Sequence, residues 1–421
     1  MLGDSRRLAR GMRQVHRHDN GALVCVDQNP ATPLASISIR IGGGSAADPV
    51  GRSGLAHLFE HLFFTGTRRI GRDGYTRAVQ DLGAECNAAT SVSSTKFYET
   101  FSAELLAEVV GLETERFGST IEYLTEAVLE REKAVVCRER SQRVEGTPYG
   151  DALEHLYRLL HGDTPLGRLP VGIAEEIDPI TLEDCASYFR RCFRGGRITV
   201  AVSGNVDLDE AVTHTATLVD VFAGGDAAPT VPVVPAQPTG AVREVVGNLP
   251  PRVYLGYRLP PAESPVYDEV RLASYLLGKG QGSWLNRHLV GDGSVVSAVR
   301  ISTLTRIAAP SVGVIEARPA AGVDIDRVRD RLRSCLAGLD DSVVGLADVA
   351  RASAYYQGSW YADDDTTRGR ADGLSLALLR SGDAGRYERE LEPATRFGVA
   401  DMAAALGYWG ADRIAGEVVY R

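Results

Sequence analysis

Four prolines recur at intervals of three residues, Pro229, Pro232, Pro235 and Pro238, inside the stretch from Phe222 to Gly240. Proline restricts φ and removes a backbone donor, so this run predicts an extended, semi-rigid strap that neither a helix nor a sheet interior can absorb. The strap separates a first part, residues 1–222, from a last part, 241–421, with 223–240 as linker. A single core seldom serves 421 residues, and two bodies of about 200 residues each are the expectation.

The two parts read as weak copies of one another. In the first, the alternation Ile37-Ser38-Ile39-Arg40-Ile41 predicts a strand, and a Gly/Ala/Asp/Pro turn leads into a helix-like run, Leu55 to Leu62. In the second, Val253 to Tyr257 predicts a strand, and a Pro-Pro turn leads into Val270 to Leu277. Superposed on their Leu-Ala pairs, His57 falls on Ser274, Glu60 on Leu277 and His61 on Gly278, so the last part repeats the pattern without its histidines and glutamate. Further helices are expected over 103–117, 125–143 and 182–189, and a strand over 197–204. The pattern predicts an α+β fold of two tandem homologous domains, each an antiparallel-rich sheet with helices packed mainly on one face.

Composition excludes several classes of function. A net charge of −9, with no Lys/Arg stripe interleaved with aromatics, argues against nucleic-acid binding. Nowhere do 18 apolar residues run together, so no membrane span is expected. The N-terminus shows no apolar signal region, which predicts a cytoplasmic protein. Six scattered cysteines without a C-x-x-C pair are expected to be reduced and mostly buried. Only Lys96, Lys133 and Lys279 are lysines among 46 basic residues, a skew that reflects a GC-rich genome rather than a function.

His57-Leu58-Phe59-Glu60-His61 carries the chemistry. Histidines four apart sit one turn above each other on one helix face, where both imidazoles can share a zinc ion. Glu60 lies beside that face, placed to move a proton without ligating. The order His-x-x-Glu-His inverts the commoner zinc-peptidase motif and is itself a peptidase signature. A catalytic zinc needs a third protein ligand. Glu130 to Glu139 supplies candidates, among which Glu132 and Glu139 are two helical turns apart and project from nearly the same face.

Three blocks resemble the pitrilysin, insulinase and mitochondrial processing peptidase family: Gly54 to Leu62 followed by Gly66-Thr67, then Gly83-Ala84-Glu85-Cys86-Asn87-Ala88-Ala89-Thr90, then Glu130 to Glu139. The resemblance implies a zinc-dependent endopeptidase with His57, His61 and Glu139 as ligands, Glu60 as general base and Glu132 as a carboxylate that orients a ligand and contributes to activity. Asn87 and Ala88 then belong to an edge strand that binds a peptide substrate by strand addition. In relatives that act alone or as homodimers, the last part supplies an arginine and a tyrosine. Here Val290 and Ser297 stand at those positions. The absence implies the zinc subunit of a heterodimer, whose homologous partner brings the Arg/Tyr pair, working on peptides or unfolded segments as a processing or leader peptidase.

The rival reading is a non-catalytic binding or scaffold subunit of a peptidase complex. Such a chain is expected to have lost one of His57, Glu60, His61 and Glu139, and all four are present. His16, His18, His155, His161, His214 and His288 lack ligand-like spacing and read as structural, and Cys137 is expected to point off the ligand face. The run Gly278-Lys279-Gly280-Gln281-Gly282-Ser283 lacks the Gly-Lys-Ser/Thr ending of a phosphate loop, and the resemblance makes it a turn between helices facing the substrate.

Overall fold

Ile37, Ile39 and Ile41 alternate with Ser36, Ser38 and Arg40, and a strand places these two sets on opposite faces. A computed structural model describes residues 12–67, 69–71, 73–225, 234, 236, 240–291, 293–339 and 344–421. The four strap prolines lie outside these residues. The first sheet contains β1 (Arg13–Arg17), β2 (Leu23–Gln28), β3 (Leu34–Gly42), β4 (Glu85–Thr90), β5 (Ser94–Ser102) and β6 (Ile198–Gly204), in the order β1-β2-β6-β3-β5-β4. With them come α1 (Leu55–Leu62), α2 (Tyr75–Asp81), α3 (Leu106–Tyr123), α4 (Glu126–Arg140), α5 (Ala152–His161), α6 (Ala174–Ile177), α7 (Leu182–Cys192) and α8 (Leu208–Val219).

The second sheet contains β7 (Ala241–Val245), β8 (Arg252–Leu259), β9 (Val296–Leu304), β10 (Ser311–Pro319) and β11 (Ile414–Tyr420), in the order β7-β11-β8-β10-β9. Its helices include α9 (Tyr267–Gly278), α10 (Trp284–Leu289), α11 (Ile325–Ala337) and α12 (Leu346–Asp364), and α13 (Thr367–Ser381) follows. The order β2-β6-β3-β5-β4 recurs as β7-β11-β8-β10-β9, with one parallel pair in each set, β2/β6 and β7/β11, and antiparallel pairs elsewhere. The internal repeat is therefore a repeat of topology.

By compactness, the described residues divide into two units. One draws on Met1–Glu139, Pro170–Thr230 and Ala362–Tyr387, the other on Arg140–Leu169, Val231–Tyr361 and Glu388–Arg421. Each unit thus includes one helix from far along the chain. In the first, α13 covers the polar face of β3: Ser36 Oγ is 2.8 Å from Thr367 Oγ1, Ser38 Oγ is 3.0 Å from Ser375 Oγ, and Arg40 pairs with Asp372. All of β3 after Leu34 is consequently buried, including the polar side chains of Ser36, Ser38 and Arg40. In the second unit, α5 takes a similar place against β8 and β11, its Leu160 carbonyl accepting from Arg258.

The helix ends refine the expectations. Residues 103–105 form a tight 3₁₀ turn before α3, and α4 passes at Ser141 into a wider π turn that runs to Glu145. Thr181 and Asp184 form a capping box that starts α7, which continues to Cys192. Among the described residues, no helix is long and apolar enough to cross a membrane.

Candidate metal centre

The sequence of α1 splits it into two faces. Phe59 and Phe63 point into the core, where Phe63 packs 5.0 Å from Phe117, 5.5 Å from Phe97 and 5.2 Å from Phe193 between ring centres. Side chains two positions away lie on the opposite side, so burying this pair turns His57 and His61 outward together. The helix starts at Gly54, whose φ of 90° suits glycine and which has no side chain to cap the first turn. Buried Asp48 caps it from outside instead: Oδ2 accepts from the Gly54 amide at 2.8 Å and Oδ1 from the Ala56 amide at 2.9 Å. Burial pushes the Asp48 carboxyl up to about 8, against the pull of those two amides. Glu176, on α6, accepts from the Ser53 amide at 3.0 Å.

Helix α4 brings Glu139 to this face. The Nε2 atoms of His57 and His61 are 3.3 Å apart, and Glu139 Oε2 lies 3.3 Å from the first and 3.2 Å from the second. Donors around a tetrahedral ion with bonds of about 2.0–2.1 Å stand about 3.3–3.4 Å from one another. Two imidazole nitrogens and a carboxylate oxygen at these separations therefore match the donor set and spacing of a zinc site. The two rings titrate in opposite directions. Burial alone lowers the His57 pKa, but hydrogen bonds to Glu139 and Glu60 outweigh it and push the ring up to about 9. His61 moves down, through burial and then the neighbouring His57 charge.

Two further carboxylates flank the trio. Glu60 Oε2 is 3.4 Å from His57 Nδ1 and accepts from the Thr90 hydroxyl at 2.6 Å. Glu132 Oε2 is 3.8 Å from His61 Nδ1, and its Oε1 accepts from Arg131 Nε at 2.9 Å. Asn87 and Ala88 lie on β4, an edge strand of the first sheet, where the Asn87 side chain accepts from the Ala88 amide at 2.8 Å. A pocket of about 480 Å³ opens beside these groups, sharing Glu60, His61, Asn87 and Glu132 with them.

The structure thus gathers His57, Glu60, His61, Glu132 and Glu139 in one place. Sequence reasoning missed Asp48, Thr90, Glu176 and Arg131. Thr90 stands inside a recognised block, but no spacing rule marks a strand hydroxyl as partner to a helix carboxylate 30 residues earlier. Ser297 lies on β9, its hydroxyl donating to the Pro319 carbonyl at 2.8 Å, and Val290 bridges to Val296. The other histidines have ordinary neighbours: His18 is 3.1 Å from Asp220, His155 is 3.2 Å from Asp151, and His288 stacks on Trp284. No disulfide joins any of the six cysteines, four of which are buried.

Residues 23–169 match the family model described as Insulinase (Peptidase family M16), and residues 179–350 match the one described as Peptidase M16 inactive domain. The chain belongs to the insulinase-type peptidase family. Within that family it is 30% identical over 195 residues to the mitochondrial-processing peptidase subunit beta of Saccharomyces cerevisiae, a match covering 46% of this chain and 42% of that protein. It thus spans about two fifths of the length of the curated relatives it matches. A protease from Helicobacter pylori has the same fold, with a TM-score of 0.88 at 20% identity over 98% of this chain and 100% of that one. A Pseudomonas fluorescens structure described as a peptidase M16 inactive domain follows, at 0.84 and 17% identity over 97% and 98% of the two chains.

Proposed function

We propose that this insulinase-type chain is a zinc-dependent endopeptidase acting on peptides or unfolded segments. The observation that carries the reading is the convergence of His57 Nε2, His61 Nε2 and Glu139 Oε2, with Glu60 alongside. His57, His61 and Glu139 would hold the zinc. The chemistry supplied there when the ion is bound is that of a Lewis acid, which acidifies water and polarises a carbonyl. Glu60, fixed by Thr90, would take a proton from water and return it to the leaving amine. Glu132 would hold His61 in orientation, as outer carboxylates do for ligating histidines. The exposed edge of β4 around Asn87 and Ala88 would take the substrate as an added strand.

The reading extends to a heterodimer and a processing or leader-peptidase role. Its support is the word "subunit" in the relatives' names, together with Val290 and Ser297 where an arginine and a tyrosine are expected. The absence of disulfides among the cysteines suits a reducing compartment such as the cytoplasm. The rival, a non-catalytic scaffold subunit, is favoured only by the inactive-domain description of residues 179–350. Zinc content and turnover, measured for the wild type and for Glu60→Gln, separate the two. A peptidase binds about one zinc in both proteins and hydrolyses peptides only as wild type, alone or with its partner subunit. A wild type that binds no zinc sinks the proposal.

A further inference from the structure

The pocket beside the trio is lined by three carboxylates, those of Glu60, Asp73 and Glu132, yet two of them are spoken for by one side chain. Arg131 precedes Glu132 on α4 and reaches across to the loop between α1 and α2. Its Nη1 and Nη2 donate to the two Asp73 oxygens at 3.0 and 2.8 Å, and its Nε donates to Glu132 at 2.9 Å. Asp73 is itself fixed, with a left-handed backbone (φ 55°) and an amide that donates to the Thr65 carbonyl at 2.7 Å. His61 and Asn87 also line it, and the remaining wall carries no charged group. Phe64, Thr65 and Thr76 line it, and the Cys86 thiol, pushed up to about 11 by burial and by Glu99, stays protonated near neutral pH.

We propose that Arg131 is a specificity-determining residue: by clamping Asp73 and Glu132 it keeps the pocket from attracting cations, so that the pocket takes an uncharged substrate side chain next to the cleaved bond. A planar guanidinium suits this task because it satisfies a bidentate carboxylate and a second acceptor at once. Without it, two carboxylates face a pocket large enough for a long side chain, and a lysine or arginine of the substrate becomes their natural partner. The inference rests on the pocket belonging to a peptide-binding site. It does not rest on turnover.

The test is therefore a binding measurement on the full chain, with and without zinc. The probes are fluorescein-labelled octapeptides on an alanine background in which Gln, Leu, Lys or Glu replaces each position in turn. At one position Arg131→Gln is expected to shift the Lys-to-Gln ratio of dissociation constants at least about fivefold toward lysine, the scale of a partly exposed charge pair. Adding Asp73→Asn is expected to cancel most of that shift. Arg131→Lys, which keeps the charge but not the fork, is expected to shift less than Arg131→Gln, which separates charge from packing. The inference is overturned if no position shifts in Arg131→Gln, if Arg131→Lys shifts as far, or if the wild type binds none of the peptides. Failure of the peptidase reading shows instead in the zinc content and in Glu60→Gln.

Discussion

His161 closes α5 with its imidazole fully buried and Nε2 2.9 Å from Arg306 Nη1. A guanidinium only donates, so Nε2 accepts and the ring is neutral. Burial first, then the positive charges of Arg306 and Arg258, push its pKa down to about 3. An unperturbed histidine titrates near about 6.5. Above that pH neither folded nor unfolded His161 carries a proton, and the residue adds no pH dependence. Below it, the unfolded chain takes a proton that the folded chain refuses until about 3. Stability is therefore lost as pH falls through this window, by about 1.4 kcal/mol per unit, or about 2 kcal/mol between pH 7.5 and 5. His161→Gln keeps an acceptor for Arg306 and removes the titration. Amide hydrogen exchange of the α5 backbone, corrected for intrinsic rates, reads the local free energy. Between pH 7.5 and 5 the wild type is expected to lose about 2 kcal/mol more protection than His161→Gln. Equal losses in the two proteins would refute the reasoning.

Two further predictions concern the metal centre. Glu139→Gln removes the charged donor and is expected to weaken zinc binding by about 100-fold or more, measured by competition with a chromophoric chelator. Unchanged affinity would exclude Glu139 from the ligand set. Asp48→Ala strips the cap from α1 and leaves the buried Gly54 and Ala56 amides without their acceptor, at a cost of about 2–4 kcal/mol. Exchange in the first turn of α1 should rise and zinc affinity should fall with it; an unaffected α1 would show that Asp48 is dispensable.

Much of the fold was legible because period-two and helical patterns report directly on burial. Ile37, Ile39 and Ile41 announced β3, and the repeat of strand and helix on either side of the strap announced two related sheets. The covering of Ser36, Ser38 and Arg40 was not legible. Alternating polar residues predict a solvent face, and here the solvent is replaced by Thr367, Asp372 and Ser375 of a helix more than 300 residues later. Such a pairing leaves no local signal. The grouping of His57, His61 and Glu139 was legible for the opposite reason, since two of them share one helix and Glu139 falls within a recognised block. Asp48 was not, because a cap that acts from outside the helix follows no fixed spacing.

The comparison of α1 with α9 shows why, among the described residues, the candidate site lies beside the first sheet. His57, Glu60 and His61 correspond to Ser274, Leu277 and Gly278. Ser274 turns its hydroxyl back to the Arg271 carbonyl at 2.6 Å, and Leu277 is fully buried in the second core. At Gly278 a Cβ atom would stand 2.0 Å from Ile301 Cγ2 on β9, far inside contact distance. In the first unit, the corresponding gap between His61 and β4 is the pocket of about 480 Å³. The second helix therefore lacks these side chains and also the space beside them. Restoring histidines at 274 and 278 would drive a side chain into β9 before any metal bound, because close-packed interiors relax only partly around added volume. Packing, as much as chemistry, confines the candidate site to the first unit.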